Sequence, residues 1–526
     1  MNIAYCGGFL GEGLRQCGHD VTDITLDREA SLTELAETAG GRPDLVLLEL
    51  WGDTPLPADI ATCPFRLAVF CVDTPLSAFW LRHLAQVCDD VFVDQRSGVA
   101  EFARVGVKAS WLPLCVSGSD IMPDMEKDYF ISFVGRTTVF RTKRTNLLRL
   151  IGKHFPLHLA QSLTRREMLT LFARSQVVLN ENLFDGLTLR VFQGLASGAT
   201  LLTESGDGLD ALFRPGQDLL TFDAANVLHV LDALEKHPER YQEIGRRGRE
   251  RCATHHTSTA RARTFLERIA DDSARNPRRP AEERRLAEAR ARYCHALRHG
   301  GPYATSITTF AQAVAAGGPL GADAAHWLGS ILARQGETAK SLELLTQAAE
   351  LPGLEGFLAA AKRCLTFLYH DDLASAGRAL ATAVSRLPRD HVPRPLPELA
   401  GEANPRQALF LFLAEVLLAA GRVFDLGFLK PRPERYPDYA FEYAGLAWQE
   451  GHSAAALDLL IRCAEACQAQ PEIMDALKTA VAEGLATDRQ ILYAAELALR
   501  LYDPETAAAI TDSFRRARRL TSGQKL

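Results

Sequence analysis

Residues 177–204 read VVLNENLFDGLTLRVFQGLASGATLLTE. The runs 177–180 and 200–203 are rich in Val and Leu and show no in–out alternation. Strands buried on both faces have that composition. Between them the spacing predicts a helix over 186–197. Leu187, Val191 and Leu195 share one side of it, with Phe192 beside them, and that side fits against a sheet. Gly186, Arg190, Gln193, Gly194 and Ser197 share the other side. A plain surface helix more often carries Lys and Glu there, whereas this one carries small and hydrogen-bonding groups and one cation. Glycines beside an arginine let a ligand lie against the backbone. The competing reading is close helix packing through the same glycines.

The strand–helix–strand pattern continues in both directions. Apolar runs at 1–6, 45–50, 66–72, 90–93 and 110–114 precede residues 117–128, and runs at 129–134, 177–180, 200–203 and 219–222 follow. Helix-length segments separate several of them, which implies parallel sheets covered by helices. The reading is α/β plus all-α: two Rossmann-like doubly wound domains, 1–118 and 119–270, followed by a helical-repeat solenoid. Residues 271–292 are dense in Arg and acids and contain Pro277 and Pro280, so a solvated linker is expected there. From 293 to 526 the chain is rich in Ala and Leu with helical periodicity. Leu328-Gly329 with Gly336, Leu345 and Ala348, then Asp371 with Ala376, Leu380 and Ala383, then Tyr443-Ala444 with Gly451, Ala456, Leu460 and Cys463 resemble the tetratricopeptide pattern of about 34 residues. Such arrays present a concave surface that usually binds protein.

Composition narrows the function classes. The chain has 526 residues, 47% hydrophobic and 24% charged, with a formal net charge of -6. That is an ordinary globular composition, and it argues against nucleic acid as the main partner, since such domains show a basic excess. The 11 cysteines are scattered without a Cys-x-x-Cys pair, so buried thiols in a reducing compartment are expected rather than a disulfide framework or a metal site. The start lacks the pattern of a secretory signal, and the greasiest stretch, 408–420, is too short to span a bilayer. A cytoplasmic protein without an integral membrane segment is the expectation.

Candidate binding groups fall at strand ends, where open parallel sheets take their ligands. Gly7-Gly8-Phe9-Leu10-Gly11-Glu12-Gly13 follows the first strand and reads either as an anion-binding loop or as a tight turn. Phe133-Val134-Gly135-Arg136 leads into Arg141, Lys143 and Arg144, cations suited to a diphosphate. Thr203-Glu204-Ser205-Gly206-Asp207 offers a small-residue nest for phosphate. Asp73, before Thr74-Pro75, is placed either to take a proton from an acceptor hydroxyl or to cap the next helix. No cluster of His, Cys and acids suggests a metal site.

These residues together resemble a known family. Asp73-Thr74-Pro75, Trp111-Leu112-Pro113, Phe133-Val134-Gly135, Gly186-Leu187-x-x-Arg190-x-Phe192-x-x-Leu195-Ala196-Ser197-Gly198, Leu201-Leu202-Thr203-Glu204, Leu212-Phe213-x-Pro215-Gly216 and His256-Thr257 occur in the order and spacing of group 1 glycosyltransferases of the GT-B type, especially the spore-maturation (CgeB-like) branch. The resemblance covers about half of the chain. It implies a nucleotide-sugar donor on the second domain, an acceptor facing the first, no bound metal and a retaining transfer. Catalytic roles are expected for Asp73, from its place after the strand, and for Asp185 and Arg190, from the resemblance. Donor contacts would come from Gly135, Arg136, Arg141, Lys143, Arg144, Gly186, Arg190, Gln193, Glu204 and Gly206. Asp185 and Gln193 occupy the places of the family's paired acids, and Gln193 brings no charge there. A weakened nucleotide-sugar-binding scaffold, or a repeat-based adaptor, is therefore the alternative to an active transferase.

Overall fold

The computed structural model describes residues 1–26, 30–38, 41–138, 141–182, 185–388, 392–393, 395–422 and 439–521. The chain divides into two compact units. One comprises Met1–Arg278 with Ala495–Ala509, the other Arg279–Ala494 with Ile510–Leu526.

The α/β unit holds two parallel Rossmann-like sheets. The first contains β1 (Asn2–Cys6), β2 (Asp20–Asp23), β3 (Leu45–Leu50), β4 (Leu67–Cys71), β5 (Asp90–Val93) and β6 (Ser110–Trp111), in the order β2-β1-β3-β4-β5-β6. The second contains β7 (Tyr129–Val134), β8 (Leu157–Ala160), β9 (Ser175–Asn180), β10 (Thr200–Glu204) and β11 (Leu220–Phe222), in the order β11-β10-β9-β7-β8. All pairings are parallel; Leu50 sits opposite Cys71 and Thr203 opposite Asn180. Every residue of β3 and β4 is buried, which is why these runs read as apolar stretches, broken only by Glu49.

Five strands were expected before residues 117–128 and four after, and the structure has six and five. The two extra strands, β2 and β8, are sheet edges. Asp20 and Asp23 of β2 and His158 and Leu159 of β8 are exposed. A half-solvated edge strand needs no apolar run and so leaves little trace in the sequence.

The two sheets share one apolar core. Leu14, Phe70 and Phe92 belong to it together with Val191, Phe192 and Phe213. After β11 the chain returns to the first sheet: Val116 accepts the amide of Ser258 at 2.7 Å and donates to the His256 carbonyl at 3.1 Å. The helix Ser258–Ala270 then packs there, with Phe265 4.8 Å from Phe92 between ring centroids. The short helix Gly11–Gln16 can approach it because Gly13 has no side chain; a Cβ would lie 2.1 Å from the Ser258 carbonyl oxygen.

The other unit is helical throughout its described length. Residues 271–292 do not remain an open linker, because the helix Ala281–His299 starts within them. Pro280 stands at its N-cap, where proline is tolerated, and Glu282 and Glu283 complement the N-terminal dipole. Arg290 pairs with Asp323, and Arg292 with Glu288 at 2.6 Å. Gly318–Arg334 packs on Thr338–Ala348, Gly353–Tyr369 on Leu373–Ser385, and Ala440–Glu450 on Ala454–Ala466. Small residues mark the crossings: a Cβ on Gly329 would meet the Leu345 side chain at 3.0 Å. Gly336 and Asp371 make turns in left-handed conformations. No described helix is long and apolar enough to cross a membrane. Cys6 and Cys17 are half-buried and the other cysteines buried.

Candidate functional site

At the end of β4 the chain turns through Asp73, whose φ of 52° and ψ of 44° are left-handed. A non-glycine residue held there is strained, and such strain clusters at functional sites. The buried Asp94, just past β5, stabilises the turn. Its carboxylate accepts the amides of Asp73 at 2.8 Å and Thr74 at 3.1 Å and the Thr74 hydroxyl at 2.6 Å. Of the two readings of Asp73, helix cap or proton acceptor, the cap therefore falls to Asp94. The Asp73 side chain makes no capping bond and stays accessible. Although the residue is exposed, the protein packed around its carboxyl desolvates it. That desolvation, and then the charge of Asp94, push it up to about 6, with Arg141 acting in the opposite direction.

On the second sheet, Arg190 lies across the end of β7. Its guanidinium donates to the Val134 carbonyl at 2.6 Å and the Asn180 side-chain oxygen at 3.2 Å, and sits 4.6 Å from the Phe133 ring centroid. Gly135 makes room, since a Cβ there would come within 2.7 Å of the guanidinium. Arg190 has no carboxylate partner among the described residues. Burial, then the charges of Arg144 and Arg141, lower its pKa to about 9, with Glu181 opposing. A preorganised cation without its own counter-ion favours an incoming anion.

The other cations divide. Arg144 turns inward to Glu181 at 2.8 Å, both buried, and to the Arg136 carbonyl at 3.1 Å, which corrects the expectation that it faces a diphosphate. Lys143 pairs with Glu204 at 2.7 Å. The half-buried Arg141 side chain makes no hydrogen bond or ion pair with a described residue, and the Arg136 side chain is exposed. Burial and Arg144 depress the pKa of Arg141, while Glu181 and Asp73 oppose.

The expected 186–197 helix begins only at Leu189 and ends at Ala196. Gly186 lies in the preceding loop, off the face assigned to it. Gln95 from the end of β5 holds that loop, donating to the Leu187 carbonyl and accepting the Leu187 amide, both at 2.8 Å. A Cβ on Gly186 would sit 2.7 Å from the Gln95 oxygen. Gly194 packs on Leu201 and Val178, and the Ser197 hydroxyl bonds the Gly194 carbonyl, so these two serve packing rather than a ligand. Arg190 and Gln193 remain. Gln193 is nearly buried, and its amide makes no hydrogen bond to a described residue. Asp185 is exposed, and its carboxyl is raised by desolvation and then by Asp207, against Lys143.

Glu204 is buried and occupied. It accepts Lys143, the Asn182 amide at 2.9 Å and the Tyr502 hydroxyl at 2.6 Å. The neighbouring Gly206 lets the Asn182 amide group close in, since a Cβ would lie 2.9 Å from its nitrogen. The 7–13 loop is occupied as well. Glu49 accepts the amides of Gly8 at 2.6 Å, Phe9 at 2.9 Å and Leu10 at 2.9 Å, so the anion there is the protein's own carboxylate and the loop is a turn.

Sequence reading missed Asp94, Gln95, Asn180 and Tyr502. Asp94 and Gln95 follow β5 and Asn180 ends β9, polar residues at apolar strand ends and a signal that was available; Tyr502 had none. No group of His, Cys, Asp and Glu that could hold a metal ion occurs among the described residues. The carboxyl ends of both sheets thus converge, with Asp73 on one side and Arg141 and Arg190 on the other.

Residues 137–267 match the family model described as glycosyl transferase-like. A comparison with curated proteins found no match. Among solved structures, an alpha-glucosyltransferase in complex with UDP-glucose and DNA containing an abasic site is 12% identical, over 51% of this chain and 98% of that one, at a TM-score of 0.41. HepE from Anabaena, in complex with UDP and glucose, is 10% identical over 51% and 99%, at 0.39. A sucrose-phosphate synthase from Thermosynechococcus elongatus is 12% identical over 52% and 99%, at 0.39.

Proposed function

We propose that the α/β unit is a GT-B glycosyltransferase that moves a sugar from a nucleotide-sugar donor to an acceptor hydroxyl. The observation that carries this reading is the glycosyl transferase-like match over 137–267, because that stretch contains Arg141, Lys143, Asp185, Arg190, Gln193 and Glu204. The donor diphosphate lies against Arg190 and Arg141, with Lys143 exchanging part of its pairing with Glu204 for phosphate. Gln193 and Asp185 face the donor's hydroxyls. In the transfer, the anomeric carbon–oxygen bond to the diphosphate breaks and its electron pair leaves with the phosphate. The acceptor oxygen forms the new bond and Asp73 takes its proton. Cations fixed before the reaction stabilise the departing charge, commonly the largest catalytic contribution.

The finer expectations belong to the same proposal. They are membership of the spore-maturation branch, retention of anomeric configuration without a bound metal, and a tetratricopeptide-like helical unit that recruits a protein. A second reading, a binding scaffold without turnover, is favoured by one feature: Gln193 replaces an acid, so the donor meets one charge fewer.

The test uses the full chain. Thermal shift against a panel of nucleoside diphosphates and nucleotide sugars identifies a ligand, since selective binding to the native state raises its stability. Release of nucleoside diphosphate from the selected donor then measures turnover. Binding with turnover that Arg141→Ala weakens supports the transferase. Binding without turnover supports the scaffold, and no shift with any nucleotide overturns both.

A further inference from the structure

Ala495–Ala509 belongs to the α/β unit, although the residues on both sides of it belong to the helical one. Several contacts fasten it. The Leu501 carbonyl accepts the Asn146 side chain at 3.0 Å, Glu505 pairs with Lys153 at 2.7 Å, and Asp503 lies 3.9 Å from Arg149. Tyr502 makes the turn at φ 58°, and its ring is buried in the cluster of Ile131, Phe133, Leu147 and Leu179, 6.3 Å from the Phe222 ring centroid. A tyrosine in a left-handed conformation is costly, so something must over-determine it. The end of the preceding helix supplies part of that, with the Tyr502 amide on the Leu499 carbonyl and the Asp503 amide on the Ala498 carbonyl, both at 2.9 Å, and the hydroxyl reaches Glu204 across 298 positions of sequence. Burial and the adjacent carboxylate push the phenol's ionisation far up, so it remains a donor.

The consequence runs through Glu204. One carboxylate oxygen takes Tyr502; the other takes both Lys143 and the Asn182 amide. We propose that Tyr502 is a positioning residue of the nucleotide site: its hydroxyl holds the Glu204 carboxylate in one rotamer, and that rotamer sets where the Lys143 ammonium stands. This rests on the reading above only for what Lys143 grips. It also means that a fragment ending near residue 270 lacks part of its own site.

The experiment compares full-length wild type, Tyr502→Phe, Glu204→Gln and the double variant. Phenylalanine keeps the ring in its cluster and removes only the hydroxyl. Two measurements are made: acetylation of Lys143 by a limiting acylating reagent, followed by mass spectrometry, and the Kd for UDP. Tyr502→Phe is expected to speed Lys143 acetylation and weaken UDP by about 5-fold each, the size of one lost hydrogen bond. In the double variant the two effects should fail to add, because both act through one carboxylate. Unchanged Lys143 acetylation in Tyr502→Phe overturns the inference, as does full additivity. Faster acetylation in a chain whose wild type binds no nucleotide leaves the positioning of Lys143 standing and removes the nucleotide reading instead.

Discussion

The Asp94 carboxylate accepts the amide of Asp73 at 2.8 Å, so the aspartate at the head of the Thr74–Ala85 helix is relieved of capping it. One acid supplies the structural bond and the other keeps an accessible carboxyl. Desolvation first, and then the charge of Asp94, raise the ionisation of Asp73.

Asp73→Asn should therefore lower kcat by about 100-fold or more while donor affinity stays, as expected for the loss of a general base. In the wild type, activity should climb as pH rises through the Asp73 ionisation at about 6 and level off above it. The stability effect has the opposite sign. The folded carboxyl binds its proton more tightly than the unfolded one, so this group's contribution falls as pH rises from about 4 to 6. Thermal melts should show Asp73→Asn gaining on the wild type at pH 8 and not at pH 4.

Gln95 satisfies both backbone groups of Leu187. Gln95→Ala leaves a buried amide and carbonyl without these partners and should cost about 1–3 kcal/mol in denaturant unfolding. Because the same loop leads to Asp185 and Arg190, the KM for donor should rise as well. Unchanged KM with lost stability would confine Gln95 to a structural role.

Gly135 and Arg190 are coupled by space. An added Cβ would intrude on the guanidinium at 2.7 Å. Gly135→Ala should imitate Arg190→Ala in nucleotide affinity, and combining them should add little. Arg190→Lys should not restore binding, since an ammonium lacks the planar fork that meets Val134 and Asn180 together. Calorimetric titration with the nucleoside diphosphate that the thermal-shift panel selects reads the wild type and these four variants.

Glu49 is an internal anion for the 7–13 loop. Removing it in Glu49→Ala strands the Gly8 amide, while those of Phe9 and Leu10 keep the Tyr5 hydroxyl at 3.1 Å each, and should destabilise the unit by about 1–3 kcal/mol. The exposed amides would then form a vacant anion site. Sulfate should raise the melting temperature of Glu49→Ala by more than that of the wild type.

Much of this fold was legible because strands buried on both faces must be largely apolar. Leu45–Leu50, Asp90–Val93 and Tyr129–Val134 stand where their hydrophobic runs predict. The edges β2 and β8 escaped because water covers one side of them. The helix after β9 was drawn three residues too long at its start, since Gly186 and Leu187 fit its periodicity but Gln95 holds their backbone in a loop. In the site, position after a strand marks Asp73 and Arg141, and the polar face of the helix after β9 marks Arg190. Arg144 looked equivalent to its neighbours and turned inward to Glu181.

Local pattern alone established two sheet-and-helix halves, a helical remainder and a ring of charged residues at strand ends. It could not say which charges cancel one another. Glu49, Asp94 and Glu204 all lie at or near the carboxyl ends of strands, yet each is committed to a different partner: a glycine turn, a helix start, and a lysine with a distant tyrosine. A buried carboxylate must be satisfied, and composition registers that need. Which donor meets it depends on contacts between residues far apart in the chain, and those exist only after the sheets and helices have closed on one another.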